Sequence, residues 1–70
     1  MTEYVILYER GENGEWGASC PDVPGCVAAG GSQAEVEQLM REAIPAHLAL
    51  MRESGDPAPE PHHLAGTIAA

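Results

Sequence analysis

Three observations in this sequence predict an α+β domain: a three-stranded antiparallel sheet plus a helix and a short last strand, in the order β-β-β-α-β. An apolar run at residues 3–10 leads through Asn13-Gly14 to an alternating segment at 15–20. Pro21-Asp22-Val23-Pro24-Gly25 then interrupts any ladder, because proline lacks an amide hydrogen, and a short strand of small residues can follow at 26–30. Ser32-Gln33-Ala34-Glu35 finally opens a long stretch with helical periodicity.

The first strand, Glu3-Tyr4-Val5-Ile6-Leu7-Tyr8-Glu9-Arg10, is rich in β-branched and aromatic residues. Alternation puts Tyr4, Ile6 and Tyr8 on one face and Val5 and Leu7 on the other, so both faces want cover. In the turn Gly11-Glu12-Asn13-Gly14, both Asn13 and Gly14 tolerate positive φ. The second strand sets Trp16, Ala18 and Cys20 against Glu15, Gly17 and Ser19. Pro24-Gly25 suits the two central positions of a type II turn. Small residues over Cys26–Ala29 let a helix pack close.

The helix is expected to run from Ser32 to about Glu53. Val36, Leu39, Met40, Ala43, Ile44, His47, Leu48 and Met51 form its apolar stripe. The Ser32 hydroxyl can accept from the Glu35 amide while the Glu35 carboxylate returns to the Ser32 amide. Pro45 removes the bond to the Arg41 carbonyl and is expected to kink the helix, with a break at Ala43–Ile44 as the alternative. Gly55 supplies a left-handed stop. Pro57, Pro59 and Pro61 make an extended connector, and residues 62–70, with Leu64 and Ile68, are expected to add the last strand.

Seventy residues make a single domain, 1–70, with a small core. Domains of this size need very regular packing, a metal, disulfides or self-association. Eleven acids against three arginines give a net charge of −8. Phosphate recognition needs clustered cations, so neither nucleic acid nor an anionic membrane is an expected ligand. A basic protein partner fits the charge. No apolar run approaches membrane-spanning length, and the N-terminus lacks a basic start and apolar stretch, so a cytoplasmic protein is expected.

Candidate chemistry is sparse. Cys20 and Cys26 could be joined by His47, His62 and His63 in a metal site, but no paired C-x-x-C or H-x₃-H spacing is present. No metal and no cofactor are expected, and the cysteines are read as small buried hydrophobes. Cys20, Cys26, Asp22 and His47 are the pieces of a nucleophilic site, yet nothing places His47 beside either thiol, and no catalytic residue is assigned. The carboxylates are scattered and the glycines are turn glycines.

A strand opening Tyr4-Val5-Ile6, the Asn-Gly-x-Trp hairpin, Cys20-Pro21-Asp22-Val23-Pro24-Gly25-Cys26, and Gly30-Gly31-Ser32 with Glu35 entering a helix together resemble the HicB-type antitoxin domain. Glu42-Ala43-Ile44, Gly55, Pro59 and Pro61 continue the likeness, which spans roughly residues 4–61. Position 36 is Val where the family usually has Ala. The resemblance implies a partial ribonuclease-H-like fold. It also implies a partner, a small basic RNA-cleaving toxin of the HicA type whose catalytic histidine the antitoxin blocks. Many relatives carry a C-terminal DNA-binding segment. With the sequence ending at Ala70, a stand-alone form without that segment is expected.

Three functions follow. The first is a toxin-neutralising, protein-binding module. The second is a homo-oligomeric regulatory or structural protein, suggested by the two-faced first strand and small core. Tyr4, Ile6, Tyr8, Trp16, Leu64 and Ile68 are the residues expected at partner or subunit contacts. The third, a small metal-dependent nuclease, needs clustered carboxylates, and the first strand has no central one.

Overall fold

A computed structural model describes residues 2–70. Strands β1 (Leu7–Arg10), β2 (Trp16–Ser19) and β3 (Val27–Gly30) form an antiparallel sheet in the order β1-β2-β3, and helix α1 (Gln33–Glu53) follows. The α+β class and the element order up to the helix agree with the sequence-based expectation.

Each connection has a local cause. Between β1 and β2 the Gly11 amide donates to the Glu15 carbonyl at 2.7 Å and the Gly14 amide to the Gly11 carbonyl at 3.1 Å. Gly14 has φ +83° and no non-glycine among the described residues has positive φ, so the loop is a three-residue turn closed by a left-handed glycine. Asn13 does not take the positive φ it could tolerate and contributes through its side chain, whose oxygen accepts from the Glu15 amide at 3.2 Å. After β2 two turns follow in succession, with Val23 donating to the Cys20 carbonyl and Cys26 to the Val23 carbonyl. Gly25 at φ +80° completes the expected type II geometry.

Strand β1 is shorter than the run at 3–10. The register Leu7↔Ser19 would set Ile6 against Cys20, whose amide faces Cys26 on the other side, so the next bonded pair would be that of Val5. It would set Val5 against Pro21, which has no amide hydrogen. Residues before Leu7 therefore continue alongside the sheet without a ladder.

Helix α1 begins at the Ser32 cap, whose hydroxyl accepts the Glu35 amide at 3.1 Å. The Glu35 carboxylate accepts from Gly31 at 3.2 Å rather than from Ser32, a shift of one residue from the expected capping box. Gly30 makes room for it: a Cβ there would lie 2.8 Å from Glu35 Cδ. Pro45 does not divide the helix, which continues unbroken to Glu53. The end is a double closure. Asp56 donates to the Met51 carbonyl at 2.8 Å and Gly55, at φ +82°, to the Arg52 carbonyl at 3.1 Å.

The helix lies across β2 and β3. Ala18, Cys20, Val23, Cys26, Val36 and Met40 form the buried core, with Tyr4, Ile6, Tyr8, Trp16, Ala28, Ala43, Ile44 and Leu48 packed around it. Val23, Val36 and Met40 are its largest fully enclosed side chains. Leu39, placed on the apolar stripe by its spacing, is exposed. The expected last strand does not form: residues 56–70 contain no strand. The proline connector runs back past Tyr4, whose hydroxyl donates to the Pro59 carbonyl at 2.6 Å, and residues 62–70 follow without a ladder.

Candidate functional site

Three surface features follow from this packing. The first is a groove. Because α1 covers β2 and β3, the N-terminal segment and β1 are only partly roofed. Tyr4, Ile6 and Tyr8 alternate onto the helix side and face Met40, Ile44 and Pro45 across an open cavity of about 480 Å³, with Glu37 and Arg41 also in its wall. Glu37 and Arg41 pair at 3.1 Å on exposed helix turns. Trp16 belongs to the same face and packs on the core margin, with the Arg10 guanidinium 6.0 Å from its ring centre.

The second feature is the other face of the sheet. Tyr8, Ala18 and Ala28 lie in register and belong to the core side. The flanking rows Leu7–Ser19–Val27 and Glu9–Gly17–Ala29 therefore point away from the helix. Leu7 is 48% and Val27 68% exposed. The tail adds apolar surface of its own, since Leu64 and Ile68 are 98% and 95% exposed. Of the six residues expected at contacts, Tyr4, Ile6, Tyr8 and Trp16 thus share one face, while Leu64 and Ile68 stand apart on the tail.

The third feature joins the loop after β2 to the tail. Asp22 is enclosed between the two turns, and its Oδ1 accepts from the His62 amide at 3.2 Å. The Nδ1 atoms of His62 and His63 lie 2.8 and 2.7 Å from that same oxygen. Asp22 Oδ2 is buried and has no partner. Desolvation works to raise the Asp22 pKa, but the His63 hydrogen bond, the His62 amide and the charge of either ring when protonated outweigh it. The carboxyl is held below the ordinary aspartate range.

Among the described residues neither cysteine falls in a group of three ligand-spaced side chains with the histidines. Cys20 and Cys26 are free thiols in the core, and burial, with Cys20 adding to it, pushes the Cys26 thiol up. The His47 ring sits beside Gly25, within 3.8 Å of where a Cβ would stand. The Asp22–His62–His63 grouping was missed, and no spacing rule links residues 40 and 41 positions apart. No helix among the described residues is long and apolar enough to cross a membrane.

Fold and surfaces together define a small α+β domain of strongly acidic charge whose outward features are an apolar groove, an open sheet face and a tethered tail. A family model described as HicB_like antitoxin of bacterial toxin-antitoxin system matches residues 4–70, and the chain belongs to that family. The match carries the likeness noted for residues 4–61 on through the tail. No curated protein matches the chain in sequence. Membership makes the chain an antitoxin-type component of a toxin–antitoxin system.

Proposed function

We propose that this antitoxin neutralises a small basic RNA-cleaving toxin of the HicA type by binding it, and that it catalyses nothing itself. Family membership carries this reading. The net charge of −8 supports it, because an acidic surface steers a basic partner into contact and disfavours nucleic acid as a direct ligand. The groove walled by Tyr4, Ile6, Tyr8, Met40 and Ile44 offers the apolar area that such a contact needs. Expression of a short Lys- and Arg-rich reading frame from beside this gene should arrest growth, and co-expression of this chain should restore it. Toxicity that persists despite a stably expressed, folded antitoxin would refute the pairing.

A second reading, self-association, is favoured by the exposed tail. Leu64 and Ile68 find no cover within the chain, and β1 and β3 both leave an open edge. We infer that the tail supplies an edge strand to a neighbouring copy, giving at least a dimer at micromolar concentration. Sedimentation equilibrium should show twice the chain mass or more. The double variant Leu64→Asp/Ile68→Asp should return it to one chain without loss of helix signal. A wild-type mass of one chain throughout the micromolar range would remove the claim.

A further inference from the structure

We propose that Asp22, His62 and His63 form a binding site for a divalent transition-metal ion, zinc above all, which staples the tail to the loop after β2. Three potential ligand atoms, Asp22 Oδ1 and the two Nδ1 atoms, lie within 4.8 Å of one another. All three come from short segments: Asp22 from the paired turns, His62 and His63 from the residues directly after Pro61.

The present hydrogen bonding is lopsided in a way that a cation relieves. A carboxylate has two oxygens and about four lone-pair directions. Here Oδ1 faces one amide and two imidazole nitrogens, while Oδ2 is buried with none. His63 Nδ1 is hydrogen-bonded to Oδ1 at 2.7 Å, whereas His62 Nδ1 lies 2.8 Å from that oxygen but has its hydrogen bond to the Glu60 carbonyl at 3.2 Å. A metal ion between these groups uses the ring lone pairs instead, and offsets a negative charge that is enclosed by protein.

Ligand type selects the ion. Two imidazoles and a carboxylate suit zinc or a neighbouring first-row ion, whereas calcium and magnesium want oxygen alone. Ligand atoms about 2.0 Å from a tetrahedral zinc stand about 3.3 Å apart. The two nitrogen-to-oxygen distances of 2.8 and 2.7 Å must therefore open by roughly half an ångström. The His62 and His63 side chains are 74% and 45% exposed, so both rings can move outward while Asp22 stays in place. Three protein ligands leave a fourth position to water. A small core with a loosely attached tail is the setting in which a metal adds most to stability.

Equilibrium dialysis of the untagged full chain against Zn²⁺, with cobalt as a spectroscopic probe, tests the site. One zinc per chain is expected, and Co²⁺ should give visible bands of a four-coordinate nitrogen and oxygen site without thiolate charge transfer. His62→Gln and His63→Gln should each weaken binding by at least about tenfold. The double variant should abolish it with an unchanged circular dichroism spectrum, while His47→Gln should leave it intact. Zinc should also raise the Tm of the wild type and not that of the double variant, because only the folded chain assembles the ligands. Absence of saturable binding, binding that survives the double variant, or a cobalt spectrum with thiolate bands would overturn the proposal. Since these readouts involve no toxin, failure here is distinct from failure of the antitoxin pairing.

Discussion

Met40→Ala is expected to lower stability by about 2–5 kcal/mol, the range for deleting a large side chain from a packed core. A chain of this size holds only about 4–10 kcal/mol in all, at about 0.05–0.15 kcal/mol per residue. Losing that much would leave a sizeable unfolded fraction at 37 °C. Met40 has this weight because the core is thin: of its six buried apolar members, only Met40, Val23 and Val36 are large and fully enclosed. It also ties the helix to the groove, whose wall it forms with Ile6 and Ile44. A void at this position can open into the groove and admit water, which places the cost in the lower half of the range. Urea titration should show an earlier midpoint at unchanged slope. Leu50→Ala, at a site 62% exposed, should move the midpoint by no more than about 0.5 kcal/mol equivalent. Equal effects of the two substitutions would contradict the core as described.

Affinity for the proposed basic toxin should fall by about tenfold or more between 0.05 and 0.5 M salt, with most of the loss in the association rate. Eleven acids against three arginines produce a one-signed field, and the Debye length shrinks from about 10 Å at 0.1 M to about 3 Å at 1 M. Groove contacts behave differently. Ile44→Ala should speed dissociation while leaving the salt slope unchanged, because an apolar contact is not screened. Surface plasmon resonance at several salt concentrations separates the two contributions. A flat dependence on salt would remove charge from the explanation and leave binding to the apolar groove and sheet face.

Local signals in the sequence were sufficient for most of the fold. Gly25 after Pro24 specifies a type II turn, because position three of that turn needs positive φ, and the structure has φ +80° there. Ser32, Glu35 and Gly55 mark the helix ends through bonds that reach no further than five residues. The motif Pro21-Asp22-Val23-Pro24-Gly25-Cys26, together with the opening strand, the Asn-Gly-x-Trp hairpin and the Gly30-Gly31-Ser32 helix entry, suggested the family to which the chain belongs.

What the tertiary structure decided lies wherever distant segments compete for the same groups. Strand β1 reaches back only to Leu7 because the next bonded pair in its register would fall on Pro21, which has no amide hydrogen. Leu39 has the spacing of a core residue, yet the helix packed over β2 and β3 leaves it exposed. The tail has strand-like composition but no partner, since the prolines before it and Tyr4 route it elsewhere. Asp22 met His62 and His63 for the same reason. Periodicity and caps act over one or two turns of chain, whereas contacts 40 residues apart depend on how whole elements pack, and that information is spread over the entire core.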